Sequence, residues 1–226
     1  MGHKPAGFVI AIDGPAGAGK TTTARLVARK LGFRHLDTGA MYRAVTFKCI
    51  EDGLDICDSS ALSRLLRGTE VTVRWDGTTS RVMLDGRDVS HKIRQHRVSA
   101  LVSQVSAVPE VRKAMVEEQR LAAAGQDVVC EGRDIGSVVF PDAQLKVYLD
   151  CDLDERARRR QQELYGERLK VSRQDVISNL QQRDRIDSSR SVSPLKRVPG
   201  AVLVDTTHLT IEDQVAVICE LARRRM

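Results

Sequence analysis

The run Phe8-Val-Ile-Ala-Ile12, then Asp13, then Gly14-Pro-Ala-Gly-Ala-Gly-Lys20-Thr21, limits what this chain can fold into more than any other stretch. Its five apolar residues have the length and β-branched content of a buried strand, and Asp13-Gly14 stops it. The loop matches G-x-x-x-x-G-K-[ST] in full and opens a helical pattern from Lys20 to Leu31, ended by Gly32. Such a loop needs glycine because it wraps a phosphate too closely for Cβ atoms and because several residues take positive φ. Its N–H groups and the dipole of the following helix then form an anion site. Gly14, Pro15, Ala16, Gly17, Ala18, Gly19, Lys20, Thr21 and Thr22 are therefore expected to hold nucleotide phosphates. Lys20 would sit between the β and γ phosphates, and the Thr21 hydroxyl would hold Mg²⁺.

The remainder of the chain suits a soluble protein built round that unit. At 226 residues, 42% hydrophobic and 29% charged, it can bury a core. No apolar run reaches about 18 residues, so no membrane span is expected. The start, MGHKPAG, lacks an apolar signal core. Cys49, Cys57, Cys130, Cys151 and Cys219 are scattered and odd in number, which suits reduced core residues of a cytoplasmic protein better than a disulfide frame or a zinc site. A net charge of +6 fits either a nucleic-acid binder or a protein with polyanionic ligands. Aromatic residues, at 4%, are too few for base-stacking platforms, and the arginines concentrate between Arg156 and Arg197. Small polyanions are the expected partners, with no nucleic acid and no membrane, and a monomer is favoured because no exposed apolar seam is obvious.

Strand and helix patterns alternate along the chain. Phe33 to Asp37 is a short second strand, and Asp37 or Thr38 can cap a helix running to about Glu51. A helical piece from Ser60 to Leu66 precedes two alternating runs, Glu70 to Trp75 and Ser80 to Asp85, joined by Asp76-Gly77-Thr78-Thr79 as a hairpin. Helical pattern resumes from about Ile93 to Ser106 and again from Pro109 to Ala124. Asp127 to Cys130 and Leu145 to Leu149 are buried strands, so Glu131 to Gly136 and Asp150 to Asp152 become crevice candidates. Asp152 and Glu155 resemble a capping box for a helix to Tyr165, Ser172-x-x-Asp175 starts another, Ala201 to Val204 is a last strand, and Thr210-x-x-Asp213 caps the terminal helix. His35 shows no partner constellation and is expected to be a packing or surface histidine. Two arginine-rich helices with a polar connector could close over a nucleotide as a lid.

A phosphate loop alone allows a small-molecule kinase, a switch or motor NTPase, or a nucleic-acid-dependent ATPase. Phosphoryl transfer between two anions needs cations on both, and Arg43, Arg133, Arg183 and Arg190 stand where loops could face one crevice. The motifs IDGPAGAGKTT (12–22), LDTGAMYR (36–43), SQVSAVPEVR (103–112), EGRDIGSVVFPDA (131–143), ERARRR (155–160) and RDRIDSSRSVSPL (183–195) occur in this order over nearly the whole chain. With them the chain resembles bacterial cytidylate kinases, nucleoside monophosphate kinases that convert CMP and dCMP to diphosphates with ATP.

The resemblance implies an α/β fold: a three-layer parallel sheet of P-loop NTPase type, as one kinase domain over 1–226. Nested in it would be a monophosphate-binding insertion at about 38–112, with its hairpin at about 68–93, and a helical lid at about 156–190. It implies that Arg43 and Arg133 grip the CMP phosphate, that Ser103, Arg112, Asp134 and Arg190 read the cytosine edge, and that Arg183 and Asp187 hold the ribose hydroxyls. Thr38 also belongs to the substrate site, where relatives often carry serine. Arg156 and Arg160 would lie over the ATP side, with Lys20, Arg133 and Arg160 acting on the transferred group and Mg²⁺ on Thr21. Glu131 stands where aspartate is frequent in the family. Kinases of the same fold with another acceptor, and a nucleic-acid-stimulated or switch NTPase, are the alternatives.

Overall fold

The computed structural model describes residues 7–56, 58–166 and 171–226. Cys57 and the initial MGHKPA lie outside the described residues, as do residues 167–170 within the expected lid. In chain order the elements are β1 (Val9–Asp13), α1 (Lys20–Leu31), β2 (Arg34–Asp37), α2 (Thr38–Glu51), α3 (Ser59–Arg67), β3 (Val71–Asp76), β4 (Thr79–Leu84) and β5 (Arg87–Asp88). A 3₁₀ turn (Lys92–Arg94), α4 (His96–Ala107), α5 (Pro109–Ala123) and β6 (Val128–Gly132) follow. A π-helical turn (Ile135–Val139), β7 (Leu145–Asp150), α6 (Leu153–Gly166), α7 (Arg173–Ser189), β8 (Val202–Asp205) and α8 (Ile211–Arg223) complete the order.

Among the described residues one sheet runs β3-β4-β2-β6-β1-β7-β8, with β5 beside β4. Strands β2, β6, β1, β7 and β8 are parallel. Strand β1 is buried throughout because both faces are covered, which is why its sequence is an unbroken apolar run. Val9 and Ala11 enter the core shared with α2 to α5, and Ile10 and Ile12 enter the core shared with α1 and α8. This is the expected three-layer α/β arrangement. The hairpin β3–β4 is antiparallel as expected, but it is not a separate piece. It extends the sheet through the register pair His35–Thr79 and a hydrogen bond from the His35 N–H to the Thr78 carbonyl.

Helix caps fall where the sequence placed them. Asp37 accepts from the Ala40 N–H at 3.0 Å, Pro109 opens α5, Ser172 accepts from the Asp175 N–H, and Thr210 with Asp213 forms a full capping box. The box expected at α6 is only half made. Asp152 accepts from the Asp154 N–H, whereas Glu155 turns to Arg158 and Arg159. Strands β1, β6, β7 and β8 run one or two residues further than side-chain pattern indicated, because the ladder is a backbone property that continues through terminal acids and glycine. Ile12 pairs with Glu131, Asp13 with Gly132 and Asp150 with Asp205. A third, smaller core packs Ala157 and Leu164 of α6 and Val176 and Leu180 of α7 against Ala16 of the phosphate loop. The two helices expected to form a lid are thereby seated on the loop itself. Cys49, Cys130, Cys151 and Cys219 are free and buried, and no described helix is long and apolar enough to cross a membrane.

Candidate active site

The loop between β1 and α1 has the backbone its glycines were expected to supply. Gly17 and Gly19 have φ of 79° and 86°. At Gly14, φ is 152° and a Cβ would stand 2.1 Å from the Leu149 carbonyl oxygen, so only glycine lets the loop pass β7. The Lys20 Nζ donates to the Pro15 carbonyl at 2.6 Å. Burial, then the nearby Arg133 charge, holds its amine well below the usual lysine range.

Ala16, Gly17, Gly19, Lys20, Thr21 and Thr22 line a cleft of about 1190 Å³, together with Arg43, Glu131, Arg133, Arg160 and Arg183. Gly14, Pro15 and Ala18 shape the loop without facing that cleft. The Thr21 hydroxyl donates to Glu131 Oε2 at 3.0 Å, and the Thr38 hydroxyl donates to the Glu131 carbonyl at 2.6 Å. An alcohol and a carboxylate side by side are hard oxygen donors of the kind Mg²⁺ prefers, so the residues present fit that ion.

Joined to the cleft is a pocket of about 80 Å³ that contains every residue expected to bind the acceptor: Thr38, Arg43, Ser103, Arg112, Arg133, Asp134, Arg183, Asp187 and Arg190. They come from α2, α4, α5, the turn after β6, and the end of α7. Two ion pairs order them. Arg112 pairs with Asp134 at 2.5 Å, and Arg133 with Asp187 at 2.7 Å. Arg112 also stacks over the Tyr42 ring at 5.1 Å. Three guanidinium nitrogens round this pocket, Arg112 Nε, Arg183 Nε and Arg190 Nη2, are buried and have no hydrogen-bond partner. Unpaired buried donors are costly, and a polyanion with carbonyl and hydroxyl groups would satisfy them.

The electrostatics point the same way. Burial, opposed by Asp37 and reinforced by Arg94, Arg160 and Arg133, brings Arg43 down to about 10. Burial and then Arg133 and Arg43 bring Arg183 to about 10 as well. Burial also works against the Arg133 charge, yet Asp187, Asp184 and Glu131 raise its pKa overall. Burial resists ionisation of Asp187, but Arg133 and Arg190 hold its carboxyl below the usual range. Arg43, Arg133, Arg160 and Arg183 therefore press on one another at the mouth between pocket and cleft, where an added phosphate would relieve them.

Several residues do work that the sequence did not disclose. Asp13 accepts from the N–H groups of Ile135 and Gly136, both at 2.8 Å, which pins the π-helical turn and with it Asp134. Burial pushes its carboxyl up to about 6. His35, expected to lack partners, is buried and bonds Glu131 Oε1 at 3.1 Å. Arg94 pairs with Asp37 at 2.8 Å at the cleft wall, in a stretch carrying no motif. The 207–211 segment also lines the cleft, and its only sequence signal is the capping pattern at Thr210.

Arg156 differs from expectation. Instead of lying over the donor side, it is buried beneath the loop, donating to the carbonyls of Cys151 and Ala16 at 3.0 Å and pairing with Asp184 at 2.5 Å. Asp184 in turn accepts from the Ala16 N–H at 3.0 Å. The pair thus clamps both peptide groups of Ala16, the same residue the small core grips. Arg160 does line the cleft, paired with Glu163. Asp150 and Asp152 are not among the lining side chains. Asp150 instead accepts from the Cys151 N–H at the end of its strand.

A family model described as cytidylate kinase matches residues 10–224. A cytidylate kinase of Carboxydothermus hydrogenoformans is 47% identical over 216 residues, which is 96% of this chain and 97% of that relative. One from Pelotomaculum thermopropionicum is 48% identical over 210 residues, 92% and 93% of the two chains. Among solved structures, an uncharacterized protein from Eubacterium ventriosum aligns with a TM-score of 0.52 at 10% identity, covering 96% of this chain and 99% of the other, a likeness of fold alone.

Proposed function

This chain belongs to the cytidylate kinase family, and from that premise we propose that it transfers the γ-phosphoryl group of ATP to CMP or dCMP, giving CDP or dCDP and ADP. The observation that carries the reading is the convergence of nine acceptor-site residues, drawn from four separate stretches of chain, in one pocket opening beside Lys20 and Thr21. The acceptor phosphate would lie between Arg43 and Arg133, whose guanidinium groups match phosphate oxygens in bidentate fashion. Ser103, Arg112, Asp134 and Arg190 would meet the cytosine edge, and Arg183 and Asp187 the ribose.

The phosphate loop and Lys20 hold the donor's phosphates, and Arg133 and Arg160 face the transferred group. No general base is needed, because the attacking oxygen already carries negative charge. Positioning and fixed positive charge supply the acceleration. Thr21 is the residue that would hold Mg²⁺, which when bound neutralises phosphate charge. Helices α6 and α7 would act as the lid that excludes water during transfer. The reading divides the chain into one kinase domain with a nested insertion at about 38–112 and a lid at about 156–190. It also assigns a monomer acting in the cytoplasm on small molecules, without nucleic acid or membrane. Four buried free thiols support a reducing compartment.

The test is a screen of CMP, dCMP, UMP, AMP and shikimate with ATP and Mg²⁺, read as ADP release. Strong dependence on a cytosine nucleotide is expected. Turnover with none of the five but stimulation by RNA or DNA would overturn the reading.

A further inference from the structure

Behind the cleft wall stands a histidine that the reaction above does not use. Glu131 faces the cleft and gives Oε2 to the Thr21 hydroxyl at 3.0 Å, while Oε1 points inward to His35 Nε2 at 3.1 Å. His35 does not reach the cleft, and both side chains are about 95% buried. A carboxylate only accepts, so the ring donates from Nε2. The backbone that carries the ring is fixed as well. The His35 main-chain N–H donates to the Thr78 carbonyl at 2.7 Å, and the register partner of His35 is Thr79, where the hairpin joins the sheet. Glu131 is likewise fixed through its carbonyl by Thr38. Once Oε1 is occupied, the carboxylate has one orientation left, and that orientation presents Oε2 to Thr21.

We propose that His35 is a positioning residue for the phosphate site: by holding Oε1 of Glu131 it aims the other oxygen at Thr21, so that metal-loaded nucleotide meets a pre-set pair of oxygen donors. The inference rests on the P-loop part of the functional reading and not on the identity of the acceptor. Second-layer partners of this kind typically contribute 10–100-fold to affinity or activity.

The test is a double-mutant cycle read by calorimetry with ADP, with and without Mg²⁺. His35→Leu is expected to weaken Mg²⁺-ADP binding by about 10-fold or more and metal-free ADP far less, with His35→Gln restoring most of the loss by keeping a donor. In a Glu131→Asp background, whose shorter side chain cannot serve both partners, His35→Leu should change little. An equal loss in both backgrounds, or an equal loss with and without metal, would overturn the proposal. Should His35→Leu fail to fold, the parent protein and Glu131→Asp still decide. Its His35 Nε2 proton, followed by NMR, should be held in a hydrogen bond that Glu131→Asp abolishes, and a solvent-exchanging proton would refute it. A CMP screen that fails while this cycle succeeds would separate the two readings.

Discussion

Arg112 and Asp134 meet at 2.5 Å with both side chains almost wholly enclosed, at 2% and 4% exposure. Neither could be buried alone, because removing one partner leaves an uncompensated charge in the interior, a loss of about 3–5 kcal/mol. Arg112→Met should therefore lower stability in urea by roughly that amount, and Arg112→Met with Asp134→Asn should recover part of it. If the single variant unfolds like the parent, the pair does not hold the pocket together.

Arg190 sits between the two carboxylates of the pocket, Nη2 3.9 Å from Asp134 and Nη1 3.6 Å from Asp187, with Nε bonded to the Ser193 carbonyl and Nη2 making no hydrogen bond. Nη2, with no hydrogen bond of its own, is the donor that the proposed function turns toward the base edge. Arg190→Ala should lower kcat/KM for CMP by about 10- to 100-fold, the worth of a charge-assisted hydrogen bond, and narrow the preference for CMP over UMP. Steady-state kinetics with both acceptors would check it, and unchanged CMP kinetics would remove Arg190 from the base site.

Asp13 gives stability a pH dependence of unusual sign for a carboxylate. Burial raises its pKa from 3.8 to about 6. The folded state therefore binds the proton more tightly than the unfolded one, and the stabilisation is present below pH 3.8 and lost as pH rises through 6. With each pKa unit worth ~1.4 kcal/mol, the span amounts to about 3 kcal/mol. The difference between parent and Asp13→Asn in urea unfolding should shift by that order between pH 4 and 7 in the parent's disfavour. A pH-independent difference would contradict it.

Lys20 has the converse sign. Its depressed pKa means that the unfolded chain binds the proton more readily, so charging this amine costs stability at neutral pH, and the cost fades as pH rises toward the ordinary lysine range. Lys20→Met should therefore raise the Tm of the nucleotide-free protein, by ~2–4 °C for each kcal/mol relieved, while abolishing most ADP binding. Thermal melts with and without ADP would reveal the opposition, and a lower nucleotide-free Tm would count against it.

From its sequence alone the chain determined its phosphate loop, the covered strand before it, the α/β order and most helix caps, because each depends on residues within a few positions of one another. The motif resemblance also named the nine residues that meet in the small pocket beside the cleft. Only tertiary structure decided which charged group answers which. Thr21 meets Glu131 across 110 positions, His35 meets it across 96, and Arg156 reaches Ala16 across 140. No periodicity or spacing encodes such distances. They follow from how parallel strands register and how helices stack on them. For that reason Arg156, assigned by motif to the nucleotide, stands under the loop as a clamp, and His35, silent in the sequence, stands one layer behind the Thr21 hydroxyl.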